Sequence, residues 1–464
     1  MHIQFDETNL LAAIAGDAHG VTRAELKDGS RRIRGALAGF RRQSEQGLYG
    51  FPHLPFQATL IRSVRAWAEG VRGTFDTVCV VGIGGSALGA WALDCGMRGP
   101  HPVQGAFTAA HPRLVILDNV DPAFVEAALD SMNPRKTLVL VIAKSGGTAE
   151  TVATFLIVRK WLREAIGRKA AQRIVAVTSE GQGDLAALAA REEYRTFPIP
   201  ANVGGRFSVL SAVGLVPAAL IGIDIGKLTR GAAAMTHACW REDLAENTAL
   251  RAALYHWLLW TRKNKPIQVA FPYANRLWGT AFWFRQLWAE SLGKARTRQG
   301  EEVHVGQTPV AALGTTDQHS QVQLYIEGPN DKVFTFWALE SFGAAGRIPR
   351  EKLGLDAFDA LGGQSLAALI DAERRATAAA MTEAGRPNCT FTLAKLDEEH
   401  LGAFLQLLEF ETAFMGELLD INAFDQAGVE LGKKLTYGLM GRAGYEPYRE
   451  QFAAYEKKRA AATR

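Results

Sequence analysis

The stretch LVLVIAKSGGTAET, residues 138–151, runs from unbroken apolar residues into a lysine, a serine, two glycines and two threonines. The apolar run Leu138 to Ile142, ended by Gly146 and Gly147, fits a strand covered on both faces, the kind that parallel sheets contain. Beyond the glycines, Val152, Phe155, Leu156, Val158 and Leu162 recur at helical spacing, so the stretch reads as strand, tight turn and helix start. The N–H groups at a helix N-terminus have no partner within the helix. With Lys144 and the hydroxyls of Ser145, Thr148 and Thr151 beside them, they form a natural cradle for a phosphate. An ordinary strand-to-helix turn uses the same residues, and the stretch by itself does not choose between the two.

Working outward, the same strand pattern recurs at TVCVVGI (77–83), RLVILDN (113–119) and RIVAVTS (173–179), alternating with helical segments. That alternation predicts a doubly wound parallel sheet. A second series follows at KPIQVAF (265–271), QTPVAALG (307–314), VFTFWAL (333–339) and CTFTLAKL (389–396). The predicted fold class is therefore α/β. A helical N-terminal cap covers residues 1–70, two α/β domains cover 71–230 and 231–400, and a C-terminal helical arm covers 401–464.

The bulk composition narrows the classes of function. With 464 residues, 48% of them apolar and 22% charged, the chain has the make-up of a soluble globular protein of two or three domains. A net charge of +4, mixed along the chain, suits anionic small molecules and argues against nucleic acid. The basic segment SRRIRGALAGFRRQ alternates arginines with small and apolar residues and reads as a solvated helix face. Cys79, Cys95, Cys239 and Cys389 lie far apart, without metal-ligand spacing, and read as buried thiols of a reducing compartment. No basic leader precedes an apolar core at MHIQFDETNL, and the apolar stretch VGLVPAALIGI is too short to span a bilayer. No membrane association and a cytoplasmic location are the expectations.

In open α/β sheets, ligands bind beyond the carboxyl ends of the strands. VVGIGGSALGA (80–90) lies there but fails as a dinucleotide fingerprint, because Ala87 takes the third glycine position. What the loop can do is bring backbone N–H groups and Ser86 close to a sugar ring. The segment LWGTAFWFRQLWAESLGK (277–294) is a helix with aromatic residues on most sides, predicted to be buried nearly all round. Gln286 and Glu290, four apart, share a face with Phe282. A carboxylate among apolar side chains holds its proton to higher pH, toward the range where general acid–base catalysis works best. A structural glutamate paired with Arg285 or Arg296 is the plainer alternative. NVGGRFSVLSAVGL (202–215) presents Arg206 after paired glycines, as a loop does that must approach something closely, and a fixed guanidinium suits a developing oxyanion. His319 opens a helical or extended segment beside Thr315, Thr316, Asp317 and Gln318, although most histidines are ordinary surface or core residues. FDQAGVELGKK (424–434) brings Gln426, Glu430 and Lys433 together, unless GVELGKK is simply an exposed turn of helix.

These motifs, in order, resemble the glucose-6-phosphate isomerase (phosphoglucose isomerase) family of the bacterial type. The resemblance is carried by GIGGS at 82–86, AKSGGTAET at 143–151, NVGGRFSVLSAVG at 202–214, RQLWAESLGK at 285–294, GTTDQHSQVQ at 314–323 and FDQAGVELGK at 424–433. The GGRFS and FDQxGVExGK elements are specific to the family, whereas GIGGS and the KSG loop are shared with other sugar isomerase domains. The resemblance implies two sugar isomerase (SIS) domains, each a mostly parallel sheet between helices, and a homodimer with an active site shared between subunits. It implies a hexose phosphate substrate and no cofactor or metal. Glu290 would then move the proton between C2 and C1, and Arg206 would stabilise the cis-enediolate. His319, from the partner subunit, and Lys433 would open the ring. Lys144, Ser145, Thr148, Thr151 and Gln426 would hold the phosphate, and Gly85, Ser86 and Gln286 would contact the sugar.

One departure stands out. The family pattern in the phosphate loop usually reads Ser-Lys-Ser/Thr-Gly-Thr-Thr, and here Ala143 and Gly147 replace two of its hydroxyls. At roughly 0.5–1.5 kcal/mol per net hydrogen bond, losing one contact weakens phosphate binding a few-fold. Two rival readings remain at this level: a non-catalytic phosphosugar-binding regulator, for which no DNA-binding segment is apparent, and an isomerase of a related sugar such as mannose 6-phosphate.

Overall fold

The computed structural model describes residues 3–99, 111–144, 146–344 and 346–463. Ser145 lies outside the described residues. Among those residues the chain forms twelve strands. The first six are β1 (Ile3–Asp6), β2 (Thr77–Val81), β3 (Arg113–Leu117), β4 (Thr137–Ile142), β5 (Ile174–Ser179) and β6 (Arg195–Ile199). The remainder are β7 (Ile267–Pro272), β8 (Lys294–Arg296), β9 (Glu302–Val305), β10 (Thr308–Ala311), β11 (Lys332–Ser341) and β12 (Asn388–Lys395). The predicted α/β class holds, with parallel sheets flanked by helices.

The first sheet has the order β3-β2-β4-β5-β6, and every pairing in it is parallel. Every residue of β2, β4 and β5 is buried, as a strand must be when helices cover both faces of its sheet. Val139 and Val141 of β4 pack in one cluster with Phe155 and Leu162 of the following helix, Ala149–Ile166. The same apolar run and helical spacing that predict the strand and helix thus also join them. At the edge, β6 alternates exposed and buried residues.

The second sheet has the order β1-β12-β11-β7-β10. All its pairings are parallel except β1 with β12. This corrects the reading of residues 1–70 as helical throughout: the helices Arg23–Glu45 and Ala58–Gly70 are there, but Ile3–Asp6 is an edge strand. Ile3 and Phe5 point into the core, and Phe5 stacks on Phe391 with ring centroids 4.8 Å apart. A segment of four residues is too short for its alternation to register as a pattern. The arginine-rich segment lies on the Arg23–Glu45 helix as expected, but Arg32 and Arg41 are not merely solvated. Arg32 lies over the Trp257 ring and donates to the Leu418 carbonyl, and Arg41 donates to the Trp240 carbonyl.

The chain separates into two compact units, Met1–Ala423 and Phe424–Arg464. The helix Glu398–Leu418, assigned by sequence mostly to a C-terminal arm beginning at 401, belongs to the larger unit and has 17 of its residues buried. Its apolar residues cover nearly every side, which is the pattern of a helix packed all round. The smaller unit holds the helices Glu430–Leu439 and Glu446–Ala462, in which only Gly438 is buried. All four cysteines are buried free thiols. Among the described residues, no helix is long and apolar enough to cross a membrane.

Candidate active site

The site is built at the carboxyl ends of the first sheet, where the loops after its strands meet the Trp278–Leu292 helix. After β2 the chain turns through Gly82–Ser86 before the helix Leu88–Arg98 begins. Gly85 is pressed against the loop that carries Arg206: a Cβ there would lie 2.2 Å from the Gly205 carbonyl carbon and 2.6 Å from the Arg206 nitrogen. Only glycine permits that crossing. Gly84, at φ +58°, faces Gln286, whose Nε2 would stand 2.8 Å from a Cβ at that position. Ser86 is half-buried beside this crossing. The glycines that sequence reading assigned to close approach to a ligand therefore also let two loops and a helix converge.

Arg206 is 2% exposed, and each nitrogen of its guanidinium has a different acceptor. Nε donates to Ser291 Oγ at 2.7 Å, Nη1 to Glu290 Oε1 at 2.9 Å, and Nη2 to the Ala423 carbonyl at 2.6 Å. Glu290 also accepts from Gln286 Nε2 at 2.9 Å, through its other oxygen. The four-residue spacing of Gln286 and Glu290 thus places both groups at one point, as predicted. The expected apolar surroundings of Glu290 need correcting. Its side chain is 28% exposed, and its contacts are a guanidinium and a carboxamide rather than aromatic rings. The buried rings of the helix are Trp283, Phe284 and Trp288, packed with Leu287. Its arginine partner is Arg206, not Arg285 or Arg296. Gln286 Oε1 is buried without a hydrogen-bond partner, an acceptor of the kind that a ligand hydroxyl satisfies.

The loop that follows β4 touches the segment that leads to Arg206. Lys144 is half-buried, and its Nζ donates to the carbonyls of Ala201 (2.7 Å) and Val203 (3.0 Å). Burial pulls its pKa below the usual lysine range. Gly146, at φ +73°, would bring a Cβ within 2.3 Å of the Leu185 nitrogen, so the turn also depends on glycine. Thr148 occupies the N-cap of the Ala149–Ile166 helix without a side-chain capping bond, and Thr151 is buried in its first turn. Ala143, where the family pattern has serine, is 5% exposed at the end of the strand.

His319 is exposed in the first turn of the helix Thr316–Glu327, beyond β10, and Tyr273 donates to its neighbour Gln318 at 2.8 Å. Gln426 and Lys433 belong to the smaller unit. There Lys433 Nζ pairs with Glu430 Oε1 at 2.8 Å, which lowers the Glu430 pKa. Gly85, Ser86, Arg206, Gln286 and Glu290 are thus drawn together within the larger unit. No described contact joins His319 to them.

Sequence reasoning missed three groups that orient the site: Ser291, the Ala423 carbonyl, and Lys294, whose Nζ donates to the Glu290 carbonyl at 2.8 Å. Ser291 and Lys294 stand inside the RQLWAESLGK motif, so their proximity to Glu290 was visible. A backbone carbonyl leaves no mark in a sequence.

Fold and site together define an α/β protein with a carboxylate held against a buried guanidinium, beside a glycine-rich turn at a helix N-terminus. The chain matches the family model described as "Phosphoglucose isomerase" over residues 58–336 and 361–446. It is 43% identical over 437 residues to a glucose-6-phosphate isomerase of Carboxydothermus hydrogenoformans, covering 94% of each chain. Against a glucose-6-phosphate isomerase of Rubrobacter xylanophilus it is 41% identical, covering 96% of this chain and 99% of the other. Among solved structures, a glucose-6-phosphate isomerase from Chlamydia trachomatis superposes with a TM-score of 0.75 at 25% identity, covering 86% of this chain and 76% of that one. A protein from Thermus thermophilus, described as hypothetical, superposes with a TM-score of 0.83 at 37% identity, covering 96% of this chain and 100% of that one. The chain belongs to the phosphoglucose isomerase family.

Proposed function

We propose that this protein interconverts glucose 6-phosphate and fructose 6-phosphate through an opened sugar and a cis-enediolate. The observation that carries the reading is the contact between Glu290 Oε1 and Arg206 Nη1 at 2.9 Å, with the guanidinium buried and the carboxylate partly open. Glu290 takes the C2 proton from the open-chain aldose, the electron pair moves into a C1–C2 double bond, and charge develops on O1. Return of the proton to C1, with the hydroxyl proton passing from O2 to O1, leaves the ketose. As Glu290 becomes neutral the enediolate becomes anionic, so negative charge passes from one oxygen pair to another in front of the same cation. A fixed guanidinium that need not reorganise serves both states.

His319 and Lys433 are assigned the proton transfers of ring opening, which Glu290, occupied with carbon, cannot perform. The histidine comes from the partner subunit of a homodimer. The loop from Lys144 through Ser145 and Thr148 to Thr151, with Gln426, holds the phosphate, and Gly85, Ser86 and Gln286 contact the sugar. The proton transfers call for no cofactor or metal, and no nucleic-acid partner is proposed. The test is a coupled assay with fructose 6-phosphate that follows glucose 6-phosphate and mannose 6-phosphate separately. Formation of glucose 6-phosphate is the expected result, and none at all would sink the reading.

A further inference from the structure

Lys144 is the one cation of the phosphate loop, and its ammonium is already engaged. Its two acceptors, the carbonyls of Ala201 and Val203, lie just ahead of Gly204, Gly205 and Arg206. The lysine's own backbone is anchored in turn, since its carbonyl accepts from Ser179 N and Thr178 Oγ1 at the end of β5, both at 3.2 Å. The far side of the Ala201–Val203 segment is tied down as well. Gly50 N donates to the Asn202 carbonyl at 3.0 Å, and Asn202 Nδ2 donates to the Gly47 carbonyl at 2.9 Å. Without Lys144, the segment leading to Arg206 loses both of these hydrogen bonds to the phosphate loop and keeps those to residues 47–50.

We propose that the Lys144 ammonium is a positioning latch that holds the Arg206-bearing loop against the phosphate loop, leaving phosphate to the backbone N–H groups and hydroxyls from Gly146 to Thr151. The inference rests on the isomerase reading and refines the part Lys144 plays in it. Hydrogen bonds from a charged donor are the stronger kind, so turning the ammonium wholly toward a phosphate would forfeit two of them and strand two carbonyls. Charge alone does not require the lysine at the anion. A helix N-terminus and free amides bind phosphate without one.

The experiment compares wild type with Lys144→Met, which keeps length and loses the donors, and Lys144→Gln, which keeps a donor and loses the charge. Amide hydrogen exchange over residues 200–207, calorimetric affinity for inorganic phosphate, and kcat with fructose 6-phosphate are read on each. The latch predicts exchange in Lys144→Met faster by about tenfold or more, kcat lower by about tenfold or more, and phosphate Kd within about fivefold of wild type. Lys144→Gln should also hold phosphate within about fivefold, and its measurement decides if Lys144→Met does not fold. A Kd weakened beyond that in a folded variant, or unchanged exchange in Lys144→Met, overturns the latch. Wild-type protein that does not isomerise would instead sink the isomerase reading, because exchange and phosphate affinity judge the latch without turnover.

Discussion

At the scale of single residues, the three acceptors around Arg206 differ in kind, and removing each should be felt differently. Glu290→Gln keeps the shape and a hydrogen-bonding side chain but removes the proposed base. It should lower kcat by about 10²–10⁴-fold with little change in KM, measured in the coupled assay. Ser291→Ala removes the hydroxyl that accepts from Nε at 2.7 Å, at a cost of about 1.5–3 kcal/mol. The expected result is kcat lower by about tenfold or more with inorganic phosphate affinity unchanged in calorimetry. Restoring a hydroxyl by Gly147→Thr should lower KM a few-fold, and a large rise in kcat without a fall in KM would contradict the hydroxyl argument. Glu290 and Arg206 stood out because their neighbours in sequence are unusual: a polar pair on an aromatic helix, and an arginine behind two glycines. Ser291 was not, since a serine inside a helix has many ordinary explanations. Nor was the use of Lys144, because its acceptors are carbonyls of a segment more than fifty residues away.

At the scale of elements, the glycine crossing and the buried helix carry the sharpest consequences. Gly85→Ala would drive a methyl into the Gly205 carbonyl and should destabilise by about 1–3 kcal/mol or push the two loops apart. A lowered Tm together with a lowered kcat is the expected calorimetric and kinetic result. On the Glu398–Leu418 helix, Glu409 is fully buried and neither carboxylate oxygen has a hydrogen-bond partner among the described residues. Burial pushes its pKa well above the ordinary carboxylate range. In the unfolded chain the proton leaves near the ordinary value of about 4.3, while the folded protein still holds it. The unfolded state therefore binds fewer protons, and stability falls as pH rises from there through the folded-state pKa. Glu409→Gln should flatten that decline in urea titrations at several pH values, and an unchanged slope would show that the carboxyl is not the cause. The apolar runs marked both sheets well, because strands buried on two faces are continuous in sequence. What stayed hidden was β1, too short to show alternation, β6, an edge strand with Pro198 inside it, and the irregular β8–β9 hairpin.

At the scale of the whole molecule, the shared-site homodimer is the part of the reading that one chain does not contain. If His319 is given to the site of a partner, mixing Glu290→Gln with His319→Ala subunits after dissociation should regenerate one intact site per mixed dimer. Activity should then recover to about a quarter of wild type, whereas subunits that keep their own histidine should stay inactive. The oligomeric state itself is read by sedimentation. That architecture was implied by motifs, not by composition or periodicity, since an interface between copies follows from surfaces that a linear pattern does not order. The edge strand β1 has a different kind of consequence. Ile3 sits opposite Leu393, so an edge strand from before the first sheet must wait for a partner made long after that sheet is complete. The second sheet cannot gain that outermost strand until β12 has been made, and until then Ile3 and Phe5 lack the strand they pair with and the Phe391 ring that covers Phe5.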